Sequence, residues 1–122
     1  MITTSIGSWP GKKIEKALDW AFSLSVPALP ELPELAESES LLGQAKGAPP
    51  LALDAFLKRL HATKAPKEKW VKFQRAGPIT LQRGAGMSRP EALVRVRANL
   101  APLLTAKIPT GFRRLVLLDE PM

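Results

Sequence analysis

Three short segments carry residue types that could recognise a small molecule: Gly7-Ser8, Gly77-Pro78-Ile79-Thr80 and Asp119-Glu120-Pro121. Each lies just after a stretch that reads as a strand. A glycine at such a place lets the backbone approach a ligand closely. A serine or threonine hydroxyl both donates and accepts, and a carboxylate can hold an amine. In parallel sheets and barrels these strand ends converge on one rim, where ligands bind. The set suits an amino-acid-like or other zwitterionic molecule. Ordinary turn chemistry is the competing explanation, because Gly-Ser and Asp-Glu-Pro also end strands that bind nothing.

Other side chains offer less. Glu31 and Glu34 fall in a proline-rich loop, where no acid/base pair follows from their spacing, and both are expected on a solvated rim. Gly84-x-Gly86 lacks the further glycines and the lysine of a phosphate loop and reads as a hinge. Trp9, Trp20 and Trp70 suit packing better than base stacking. Arg75 and Arg83 flank the GPIT segment and could meet an anion, but exposed arginines are the expectation. His61, at a basic helix end, has no catalytic partner nearby. The chain has no cysteine, hence no disulfide, thiol nucleophile or thiolate metal site, and one histidine cannot build a histidine-rich site. No catalytic residue and no metal ligand is assigned.

The net charge of +7 over 122 residues raises the question of nucleic acid. The lysines and arginines are dispersed, with no dense tract, and tyrosine is absent. A basic solvated surface is the expectation. Polar residues break every apolar run well short of the roughly 18 residues of a membrane span. The opening Met1-Ile2-Thr3-Thr4-Ser5 lacks the basic-then-apolar layout of a signal peptide, so a cytoplasmic domain is expected.

The elements that must position these residues alternate. Ile2–Ile6 is β-branched and predicts a strand. A helix from about Lys12 follows, with Ile14, Ala17, Leu18, Ala21 and Phe22 on one face. Ser25–Leu29 predicts a brief strand, and Pro27, Pro30 and Pro33 then impose an extended rim. Glu34–Gln44 suits a short helix, Gly43–Pro50 a loop, and Leu51–Ala62 a second amphipathic helix with Leu53, Phe56, Leu57 and Leu60 inward. Trp70–Gln74 reads as a strand, and Ile79-Thr80-Leu81 resumes in β-favouring residues. Ser88 and Glu91 match a capping box for a helix burying Leu93, Val96, Leu100 and Leu103 or Leu104, with Pro102 inside it expected to kink or shorten it. Arg114–Leu118 closes the chain as an apolar strand. This rhythm predicts an α/β fold with parallel pairing.

The segments also resemble a family. Thr3 to Pro10, TTSIGSWP, resembles the opening strand of the catalytic barrel of cobalamin-independent methionine synthases, which reads TT-x-IGS-aromatic-P. Lys72 to Leu81, KFQRAGPITL, resembles the family's K-x-x-x-TGP-[VI]-T segment, with Ala76 in place of the threonine. Val116 to Pro121 resembles its strand ending in DEP. The three occur in the family's order across almost the whole chain, and the likeness extends to the wider superfamily of uroporphyrinogen-decarboxylase-like barrels.

The resemblance implies the first half of a (β/α)8 TIM barrel: one partial domain over residues 1–122, with about four parallel strands alternating with helices. It implies homocysteine's amino-acid end on Ile6, Gly7, Ser8 and Asp119; Thr80 and Glu120, from the strand-end segments above, are the further rim candidates. Zinc and folate serve the family's methyltransferase reaction. The zinc ligands come from the second half of the barrel, and a thiol needs that metal to become a thiolate near neutral pH. The folate-side tryptophan is replaced here by Gln82-Arg83-Gly84, and the family's acidic residue after the second strand has no clear match in VPALPELPEL. A partial amino-acid-binding rim, not catalytic alone, is therefore expected. The alternatives are a subunit of a split zinc-dependent methyltransferase and a basic nucleic-acid or adaptor module. Unpaired edges predict a partner, either a second copy or a second-half chain.

Overall fold

The two runs KWVKFQRA and FRRLVLLD form the sheet. A computed structural model describes residues 3–5, 7–63 and 69–121. Strand β1 spans Lys69–Ala76 and strand β2 spans Phe112–Asp119. They pair in parallel from Lys69 opposite Phe112 to Ala76 opposite Asp119. Side chains alternate across a strand, so Val71, Phe73 and Arg75 share one face with Arg114, Val116 and Leu118. Lys72, Gln74 and Ala76 share the other with Leu115, Leu117 and Asp119.

Helices cover the first of these faces. Helix α1, Ile14–Phe22, buries Ala17, Leu18 and Ala21. A 3-10 turn at Glu37–Glu39 leads into the short helix α2, Leu41–Ala45, which Ser40 caps by accepting from the Gly43 N–H. Helix α3, Leu53–Ala62, buries Phe56 and Leu60. Phe56 sits between Phe22 and Phe73, with ring centroids 5.3 and 5.8 Å away. It centres a core that joins Leu18, Leu29, Leu32, Val71 and Leu103. Helices α4, Pro78–Ala85, and α5, Arg89–Thr105, bury Leu81, Ala92 and Val96 against Ala76 in a second, smaller cluster. No helix among the described residues is long and apolar enough to cross a membrane.

The four-strand half-barrel expected from the sequence does not form: the described residues hold a two-stranded parallel sheet and five helices, a small α/β arrangement. The N-terminal and proline-rich segments contribute only isolated parallel bridges, Ser8 with Glu31 and Ala28 with Lys72. Pro27, Pro30 and Pro33 have no N–H to give a ladder. Gly7, at φ +98°, turns the first segment out of the extended region after a few residues. Ile2 and Ile6 of the first expected strand lie outside the described residues, as does the Lys64-to-Lys67 end expected for the second helix.

Two local expectations also change. Ile79, Thr80 and Leu81 are helical in α4 despite their β propensity, because Pro78 occupies the first helical turn, where its fixed φ and missing N–H cost nothing. Helix α5 runs through Pro102 to Thr105 and buries Leu103 while leaving Leu93 and Leu104 exposed. The expected cap forms: Ser88 Oγ accepts from the Glu91 N–H at 3.3 Å and donates to Glu91 Oε1 at 2.7 Å.

Candidate functional site

The rim on the helix-free face is organised by Gln74. The Glu31 N–H donates to Gly7 O at 2.7 Å and the Trp9 N–H to Glu31 O at 2.8 Å, which sets the two N-terminal segments side by side. Gln74 reaches across from β1, its Nε2 donating to Leu29 O at 2.6 Å and to Glu31 Oε1 at 3.4 Å. Both partners are acceptors, so the amide nitrogen must face them. That leaves Gln74 Oε1 as a buried acceptor without a hydrogen-bond partner among the described residues. Gly7 packs directly on this amide: a Cβ there would lie 2.3 Å from Gln74 Nε2.

Two carboxylates flank Gln74. Burial is the main cause that pushes Glu31 up from the ordinary 4.5 to about 7; the Gln74 hydrogen bond and the Arg75 charge oppose it, while Asp119 and Glu39 add to it. Asp119 is also raised, by partial burial, with the Lys72 ammonium opposing. Lys72 is itself buried and donates from Nζ to Ser5 O at 2.7 Å. Near neutral pH Glu31 is thus poised between its acid and its base form.

Glu31 is the functional candidate that sequence reasoning passed over as a solvated residue; it is partly buried, whereas Glu34 is exposed. The available signal was positional. Glu31 follows the second strand-like segment just as Gly7-Ser8 follows the first. Arg75 also departs from expectation, being 1% exposed. Its Nη2 donates to Ala48 O at 2.8 Å, and burial pushes its guanidinium below the ordinary value against the opposing charges of Glu31 and Glu39. The side chains of the helix-covered face leave it no route to solvent.

At the other end of the rim, Thr80 and Glu120 serve the fold. Glu120 accepts from the N–H groups of Ile79 and Thr80 at 3.1 and 3.3 Å, which places a carboxylate on the N-terminus of α4. Thr80 Oγ1 donates to Asp119 O at 2.6 Å. Thr80, Asp119 and Glu120 line an open depression of about 490 Å³ with Leu41, Arg83 and Gly84. Gly7 and Ser8 do not line it; they meet the rim through Glu31 and Gln74. Asp119 belongs to both groupings, because it lines the depression and its charge acts on Glu31. Ser8 is exposed, and Ile6 lies outside the described residues.

The described residues offer no set that fits the zinc and folate implied by the sequence resemblance. Among the described residues, no three His, Cys, Asp or Glu side chains group as metal ligands. His61 sits at the end of α3, its Nε2 3.0 Å from Lys107 O. Gln82, Arg83 and Gly84 belong to α4, where no aromatic ring offers a pterin platform. No protein-family model, no curated protein and no solved structure matches this chain, so its likeness to the methionine synthases rests on the three quoted segments.

Proposed function

We propose that this chain is a methionine-synthase-like module whose rim takes the ammonium end of an amino-acid-like ligand, of the homocysteine and methionine class, and that it does not transfer methyl groups by itself. One observation carries the reading: Glu31, Asp119 and Gln74 Oε1, an acceptor unpartnered among the described residues, gather at the same end of the sheet. A primary ammonium brings three donors and a positive charge. It satisfies the amide oxygen and removes the repulsion that helps to hold Glu31 protonated. Gly7 lets the first segment pack against Gln74, since any side chain there would strike the amide. Ser8 offers its hydroxyl to the ligand's carboxylate. No catalytic step is assigned to the rim.

Calorimetric titration with L-homocysteine, L-methionine and N-acetyl-L-methionine tests this. The free amino acids should bind and the acetylated one, which lacks the ammonium, should not. Glu31→Gln should weaken binding by about tenfold or more, the scale of a charged hydrogen bond lost. Equal binding of the acetylated compound, or no binding of either free amino acid, would overturn the proposal. Zinc-dependent methyl transfer by the isolated chain would overturn its second clause.

A further inference from the structure

Among the described residues, strand β2 pairs with another strand on one side only. The Lys69 N–H donates to Gly111 O at 2.8 Å and the Gly77 N–H to Asp119 O at 3.0 Å. These bonds turn the backbone groups of the odd-numbered residues toward β1. Those of Arg114, Val116 and Leu118 therefore point the other way, to an edge that no other strand of the described residues covers, while the Phe112 N–H donates to Pro109 O at 3.2 Å. Leu115, Leu117 and Leu118 flank that edge at 37%, 40% and 44% exposure. On the helix side, α5 leaves Leu93 and Leu104 exposed, about three turns apart on one stripe. Leu93 shares a depression with Glu120 at the end of β2. Bare ladder groups with leucines on both flanks form a template for another strand.

We infer that the occupant is a second copy of this chain, its β2 running antiparallel to the first about a two-fold axis at Val116. Hydrogen-bonding residues must face hydrogen-bonding residues across the new ladder. The two-fold axis must then relate even-numbered positions to even-numbered ones, which leaves few registers. With the axis on Val116, Arg113 faces Asp119 of the second copy and Leu115 faces its Leu117, each pair occurring twice by symmetry. All four residues lie on the sheet face away from the helices, in the narrow pairs where side chains come closest. Arg113 is already held on that face over Trp70, 5.9 Å from the ring centroid. Moving the axis to Leu115 sets Arg113 against a leucine. Moving it to Leu117 sets Leu115 against an aspartate. Only the Val116 register matches charge with charge and leucine with leucine.

Sedimentation of the native chain should give a dimer. Arg113→Asp or Asp119→Arg places like charges opposite one another in both symmetric pairs and should weaken association about tenfold. The double variant Arg113→Asp/Asp119→Arg should restore it. Because the chain contains no cysteine, Leu115→Cys/Leu117→Cys gives a second readout: in a narrow pair the Cα atoms stand about 4.5 Å apart, within disulfide reach, so mild oxidation should yield a covalent dimer. A monomeric native chain, a dimer indifferent to both single reversals, or a cysteine variant that does not cross-link would each overturn the inference. Leu115 and Leu117 are not among the groups proposed to hold the ligand, so in the Leu115→Cys/Leu117→Cys variant the dimer is read without altering Glu31, Gln74 or Asp119.

Discussion

Glu31 shows how one side chain can link protonation, folding and binding. Its ordinary value of 4.5 applies in the unfolded chain and about 7 in the folded one. Below both values the carboxyl is neutral in either state and pH has no leverage. As pH rises between them the unfolded chain ionises first, so the folded state loses stability, up to about 3 kcal/mol once Glu31 is fully charged. Glu31→Gln should flatten that loss and leave the variant more stable than the parent above neutrality, as read by urea denaturation on either side of the interval. Binding of an ammonium should follow the opposite trend and strengthen as Glu31 ionises. Gly7 gives a second test. A Cβ at φ +98° would be strained and would collide with Gln74, whereas at Gly86, φ +68°, nothing lies within 4 Å. Gly7→Ala should therefore cost about 2–3 kcal/mol and Gly86→Ala about 1 kcal/mol in chemical denaturation.

At the scale of elements, α4 depends on a residue far away in sequence. Its first N–H groups are met by Glu120, beyond the end of β2, so the helix start and the strand end stabilise each other. Glu120→Ala should cost about 1 kcal/mol, the usual worth of a capping group, and should speed hydrogen exchange at the Ile79 and Thr80 amides. That dependence also explains why the GPIT segment misleads when read locally. Ile79 and Thr80 favour strands, but Pro78 before them and a carboxylate 41 residues on from Ile79 decide for a helix. The 3.6-residue spacing in α1 and α3 required no such long-range help, and both helices lie close to where their periodicity placed them.

For the whole molecule, the sheet edge and one rim residue, Asp119, lie on the same strand. If two copies share one sheet through β2, thermal unfolding should depend on protein concentration, and the midpoint should rise as the chain is concentrated. The Arg113→Asp variant should lose that dependence while keeping the monomer's fold, since its side chain lies outside both core clusters.

The sequence by itself determined the amphipathic helices α1 and α3, the strands at Trp70–Gln74 and Arg114–Leu118, and the Ser88–Glu91 cap, because each rests on contacts or periodicity within a few residues. It also marked Gly7, Ser8 and Asp119 as strand-end residues. Only the tertiary structure decided that Glu31 is partly buried beside Gln74, that Arg75 is enclosed, and that two expected strands shrink to single bridges. Those outcomes depend on burial and on which backbone groups meet across 20 to 45 residues of chain, as where Gln74 bonds Leu29 at a separation of 45. Desolvation and ladder pairing are properties of neighbours in space, and proline and glycine in the connecting segments determine how far each ladder can run.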